Sequence, residues 1–114
     1  MTLRWAGRIL FVAAIIVITD LALQPGHAMP ATLLGSDKLE HLAAFAVLTV
    51  LAHIAWPGVS RWFTVPILVL YGIGIELAQA SLTVGRTASL ADLGADTLGI
   101  LVGLGLLSLV RPGR

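Results

Sequence analysis

Four long apolar runs, residues 8–23, 39–56, 63–82 and 91–110, alternate along the chain with short stretches rich in structure breakers. Each run approaches the roughly 20 residues that a helix needs to cross a hydrocarbon layer about 30 Å thick. The stretches between them carry the punctuation of turns: Pro25, Gly26, Pro30, Gly35 and Ser36 in 24–38, Pro57 in 57–62, and Gly85 in 83–90. A barrel strand would need only about ten residues and would alternate polar with apolar positions, which these runs do not do. The pattern predicts an all-α integral membrane four-helix bundle forming a single domain over 1–114.

Composition sharpens this reading. With 58% hydrophobic and 11% charged residues among 114, the chain is far more apolar than the roughly half apolar, quarter charged make-up of soluble domains. A bilayer accepts that excess on the outside of a bundle, where water would not. The net charge is +1 and the basic residues are scattered singly, so no nucleic-acid surface is indicated. Without cysteine there is no disulfide or thiolate chemistry. The first run, with Arg4 and Arg8 at its start, also has the make-up of a signal peptide. Pro30 interrupts the small residues around Ala28 and Ala31, which favours retention as an anchor over cleavage.

Four crossings put both termini on one side. That side gathers Arg4, Arg8, Arg61, Arg111 and Arg114 and no acid, against Lys38 and Arg86 on the other. Cytoplasmic flanks are enriched in Lys and Arg, so both termini are expected in the cytoplasm. Trp5, Trp56 and Trp62 fall at the same inner boundary, where amphipathic rings settle.

With this topology Asp20, Asp37, Glu40, Glu76, Asp92 and Asp96 all fall in the outer half, and Lys38, His41, Gln79 and Arg86 join them. Asp37 and His41, Glu76 and Gln79, and Asp92 and Asp96 are three or four residues apart, so each pair shares a helix face. The face of the fourth run continues to Gly99 and Gly103, and Gly72 precedes Glu76 by one turn; such small residues let helices approach closely. Gly105 lies off this row. A charge at mid-bilayer costs about 2.5–3.5 kcal/mol, so Glu76 and Asp96 should face the bundle interior, and Arg86 is expected to pair with at least one of them. Ordinary structural roles compete with this picture. Ser36, Asp37, Lys38 and Glu40 suit a helix start in interfacial water, and Asp92 suits the first turn of a helix. His53, toward the inner half, reads as a hydrogen-bonded bundle histidine, while His27 lies in a loop.

Several short motifs, in order, carry a resemblance: Ser36-Asp37-Lys38-Leu39-Glu40-His41 with Phe45; Tyr71-Gly72-Ile73-Gly74-Ile75-Glu76-Leu77-Ala78-Gln79; Gly85-Arg86-Thr87-Ala88-Ser89-Leu90-Ala91-Asp92; and Thr97-Leu98-Gly99 with Gly103. Over 36–103 the chain resembles the VanZ-like family of small bacterial membrane proteins. The resemblance implies a location in the bacterial cytoplasmic (inner) membrane and, through the family's named member, a link to resistance against the glycopeptide teicoplanin. It carries the family's Lys and His onto Lys38 and His41, its Glu and Gln onto Glu76 and Gln79, its Gly-Arg onto Gly85 and Arg86, and its Asp onto Asp92. Two positions depart from the family's pattern: Asp96 stands where Asn is usual, adding a negative charge, and Val84 where Pro is usual.

Three functions suit these residues. In the first, an outward-facing pocket of Asp37, Lys38, His41, Glu76, Gln79, Arg86, Asp92 and Asp96 binds a membrane lipid, a lipid-linked envelope precursor or a glycopeptide, with Lys38 and Arg86 meeting an anionic headgroup. In the second, the protein is an intramembrane hydrolase or transferase acting on a lipid phosphate. His41 and Glu76 would be its catalytic base and acid, and Glu76, Asp92 and Asp96 the candidate ligands of a divalent metal. No zinc, phosphate-loop or nucleophile-elbow motif supports this, and no cofactor is indicated. The third is a proton- or ion-coupled carrier, for which the inner half supplies little besides His53 and Thr64. A merely structural bundle, in which the cluster is a polar staple between helices, is the remaining alternative, and assembly as a homo-oligomer is compatible with all of these.

Overall fold

A computed structural model describes residues 2–24, 37–82 and 90–110, apart from the side chains of Asp37 and Leu82. Four helices follow one another: α1 (Leu3–Ala22), α2 (Asp37–Ala55), α3 (Arg61–Leu82) and α4 (Leu90–Val110). No strand occurs among the described residues. All four helices are long and apolar enough to cross a membrane, since about twenty residues rise roughly 30 Å. The all-α fold expected from the runs is the fold observed.

Local chemistry sets the ends. Thr2 caps α1 by accepting the Trp5 N–H at 3.3 Å, so the helix starts ahead of Arg8. Arg8 then lies between the Trp5 and Trp56 rings, 4.8 and 5.6 Å from their centroids, and donates from Nε to the Ala55 carbonyl at 2.9 Å. That carbonyl belongs to the last turn of α2, where a cation complements the unpaired C=O groups. Ser60 starts α3, its hydroxyl accepting from Trp62 N–H at 3.1 Å and its carbonyl from Phe63 and Thr64 N–H at 3.0 Å. Pro66 lies inside α3, where its missing donor would have faced the first turn.

α2 is the central helix, packed most extensively against α4 and next against α1. Phe45, Leu48, Leu68 and Ile100 form the buried core. Glycines permit the close crossings. A Cβ on Gly99 would overlap the Leu42 carbonyl oxygen and lie 3.0 Å from Phe45 Cβ, and one on Gly103 would lie 2.7 Å from Thr49 Cβ. A Cβ on Gly7 of α1 would meet the Ala55 backbone nitrogen at 3.1 Å. Gly105, off the row, has open space around it. The outward faces carry exposed Ile16, Leu70, Leu77, Leu101 and Leu109, an arrangement that lipid tolerates and water does not.

Candidate functional site

The start of α2, the end of α3 and the start of α4 meet at one end of the bundle. Asp92, in the first turn of α4, forms an ion pair with Lys38 in the first turn of α2. One turn deeper, Asp96 Oδ1 and His41 Nδ1 are 2.7 Å apart. A carboxylate only accepts, so in a deprotonated Asp96 this contact places the ring proton on Nδ1 and leaves Nε2 facing Asp92, 3.8 Å from its Oδ2. Glu76 on α3 is 4% exposed, and Asp92 and Asp96 are as deeply buried. The Lys38 side chain, by contrast, is 49% exposed, which makes it the rim of the recess.

Gly72 explains how Asp96 fits there. A Cβ at Gly72 would lie 2.9 Å from Asp96 Oδ2, so the missing side chain on α3 is the room that the carboxylate occupies. That Oδ2 is buried without a hydrogen-bond partner among the described residues. In the enzyme reading Glu76, Asp92 and Asp96 are candidate ligands of a divalent ion, although their spacing alone specifies no metal. Among the described residues, His41, Glu76 and Asp92 have donor atoms within 4.8 Å of one another, while Asp96 Oδ1 lies on His41 Nδ1. One imidazole and two carboxylates are donor types that divalent cations accept.

Not every expected residue lines the recess in the same way. Gln79 is buried and donates from Nε2 to the Ala22 carbonyl at 2.9 Å, tying the end of α3 to the end of α1. Asp20 accepts from Gln24 Nε2 at 3.2 Å on the exposed end of α1. Arg86, with its expected pairing, and the side chain of Asp37 lie outside the described residues.

Sequence reading passed over Tyr71. Its hydroxyl shares a 2.5 Å hydrogen bond with Thr19 Oγ1 of α1, and its ring packs on Phe45 with centroids 5.9 Å apart. Two polar residues within apolar runs, Thr19 near the end of one and Tyr71 in the middle of another, were the available signal, because each needs a partner in hydrocarbon.

Chemically, the recess presents one half-exposed ammonium over three buried carboxyl groups and an imidazole held by hydrogen bonding. No curated protein and no solved structure matches the chain. A family model does, over residues 3–111, and it is the family that the motifs around Lys38, Glu76 and Asp92 resemble: the chain belongs to the VanZ/LLP1 family.

Proposed function

We propose that this small multi-pass membrane protein binds, in the recess between α2, α3 and α4, the polar headgroup of an envelope lipid or lipid-linked cell-wall precursor. The reading rests on one observation: Lys38 stands at the rim, paired with Asp92, above His41, Glu76 and Asp96 contributed by three helices. Such a set suits a phosphate flanked by hydroxyl, amide or amine donors. The phosphate meets Lys38, and Arg86 of the neighbouring connection, through charge-assisted hydrogen bonds; the donors meet the carboxylates. The positive-inside bias orients the recess toward the outer face of a bacterial cytoplasmic membrane.

The test uses purified protein in non-ionic detergent with two probes, a polyprenyl diphosphate-linked sugar and teicoplanin. Saturable binding of the lipid-linked sugar, weakened about tenfold in Lys38→Gln and in Arg86→Ala, is expected from the loss of one charge-assisted contact. Equal affinity in wild type and both variants removes the proposal, and binding of teicoplanin alone reassigns the recess to the glycopeptide.

The 2.7 Å contact between His41 and Asp96 favours a second reading, in which the recess hydrolyses or transfers a lipid phosphate. A carboxylate-oriented imidazole is the arrangement of a general base, and Glu76 is the buried acid nearby. Phosphate release from the same lipid, abolished in His41→Gln while binding persists, would establish this reading. Binding without turnover in the wild type rejects it.

A further inference from the structure

At the end of the bundle opposite the carboxylates, the end of α2, the turn at 56–60, the start of α3 and the last turns of α4 line a half-open cavity of about 410 Å³. This lies within the roughly 300–1,000 Å³ typical of ligand sites. Its walls include His53, Ser60, Arg61, Leu104, Leu107 and Ser108, and no acid. The whole basic end of the sequence, with Arg4, Arg8, Arg61, Arg111 and Arg114, carries no carboxylate side chain. An anion is therefore the complementary charge.

His53 adds a more specific signal: it is the expected hydrogen-bonded bundle histidine, but through one ring nitrogen only among the described residues. Its Nδ1 lies 2.8 Å from the Thr49 carbonyl oxygen. A carbonyl only accepts, so Nδ1 carries the proton, and in the neutral ring Nε2 is an acceptor. That Nε2 is buried and has no hydrogen-bond partner among the described residues, and His53 is one of the residues lining the cavity. A buried acceptor left unmatched is costly, and a ligand hydroxyl would remove that cost. The amides that open α3 are not the anion's partners, because Ser60 already takes the N–H groups of Trp62, Phe63 and Thr64. Arg61 supplies the cation. Leu104 and Leu107 supply an apolar wall, and Trp62, 85% exposed, is placed as interfacial tryptophans are.

We propose that this cavity binds the headgroup of an anionic glycerophospholipid, with its phosphate on Arg61, a headgroup hydroxyl donating to His53 Nε2, and an acyl chain along Leu104 and Leu107. The site lies at the other end of the bundle from the polar recess and does not depend on the function proposed for it. Phosphatidylglycerol satisfies both contacts. Phosphatidylethanolamine would bring its ammonium against Arg61 with no carboxylate in the wall to receive it.

The full chain, delipidated in non-ionic detergent, is titrated with phosphatidylglycerol, phosphatidylethanolamine and free sn-glycerol 3-phosphate, and the adducts are counted by native mass spectrometry. Phosphatidylglycerol should bind about tenfold more tightly than phosphatidylethanolamine. That preference should vanish in Arg61→Gln and in His53→Phe and persist in His53→Gln, whose amide oxygen restores an acceptor. Arg4→Gln, outside the cavity wall, should leave it unchanged, and helical circular dichroism checks that every variant folds. Equal affinity for the two lipids in the wild type, or an undiminished preference in Arg61→Gln, overturns the proposal. Free glycerol phosphate binding as tightly as the lipid also overturns it, making the ligand a soluble phosphate.

Discussion

Replacing Gly99 by Ala is the sharpest perturbation of this bundle, because one methyl group lands where α2 and α4 come closest. The added Cβ would overlap the Leu42 carbonyl oxygen and lie 3.0 Å both from that carbonyl's carbon and from Phe45 Cβ. Carbon atoms prefer about 3.5–4.0 Å, and a helical carbonyl cannot rotate away as the tip of a side chain can. The helices must therefore separate by about 1 Å at this level. Overpacking of this kind costs about 1–3 kcal/mol. His41 adjoins Leu42, and Asp96 lies one turn from Gly99, so the opening also stretches their 2.7 Å contact to about 3.5 Å, outside hydrogen-bond range. Losing an interhelical hydrogen bond in a membrane adds about 0.6 kcal/mol, giving about 2–4 kcal/mol in all. Unfolding in mixed micelles titrated with SDS, followed by the fluorescence of Trp5, Trp56 and Trp62, measures the change. Gly105→Ala is the control: its Cβ meets nothing within 4 Å, and the helix-propensity gain of up to about 1 kcal/mol should leave it neutral or slightly stabilised. If the two variants unfold at the same SDS fraction, close approach through Gly99 is not what holds α2 to α4.

Two further outcomes follow from other contacts. Tyr71→Phe removes the 2.5 Å bond to Thr19 and should destabilise the bundle by about 0.6–1 kcal/mol, with faster hydrogen exchange confined to the α1 amides near Thr19; unchanged exchange there would mean that the other contacts of α1, among them Gly7, Arg8 and Gln79 on the Ala22 carbonyl, hold it without this bond. The chain has no cysteine, so single cysteines report sidedness cleanly: in intact cells a membrane-impermeant maleimide should label Gln24→Cys, and Gly58→Cys only after permeabilisation, whereas the reverse pattern would move the recess to the cytoplasmic leaflet.

The helices were legible because hydrocarbon thickness sets their length and an apolar run records it. Charges at the boundaries were harder to place. Arg8 reads as the flank of a span, yet its guanidinium lies over two indole rings and donates to the Ala55 carbonyl. A long side chain doing this is a tertiary event that periodicity does not encode. The recess was legible by face and not by partner. Spacing puts Asp92 and Asp96 on one side of α4 and His41 on one side of α2, but nothing in the spacing says that α4 is the neighbour α2 packs against most. The approach of the two helices sets Asp96 on His41 Nδ1, a pairing that the spacing does not give. His53 was half legible: its Thr49 bond lies within one turn of its own helix, whereas its vacant Nε2 depends on walls supplied by α3 and α4.

The close-packing glycines and the ionisable residues occupy the same interfaces for a physical reason. A carboxylate in hydrocarbon needs a partner at hydrogen-bond distance, and helices separated by bulky side chains, with axes 8–10 Å apart, leave little chance of short side chains such as Asp and His meeting. Gly99 and Gly103 bring the α4 backbone against α2, and Gly72 leaves on α3 the space that Asp96 fills. Glycine supplies the proximity, and proximity makes the buried charges tolerable. The same coupling means that the recess has little freedom to widen without losing its internal contacts. A ligand that enters must therefore replace those contacts with its own, as a phosphate drawing Lys38 away from Asp92 would do if a donor on the same headgroup took the carboxylate in exchange.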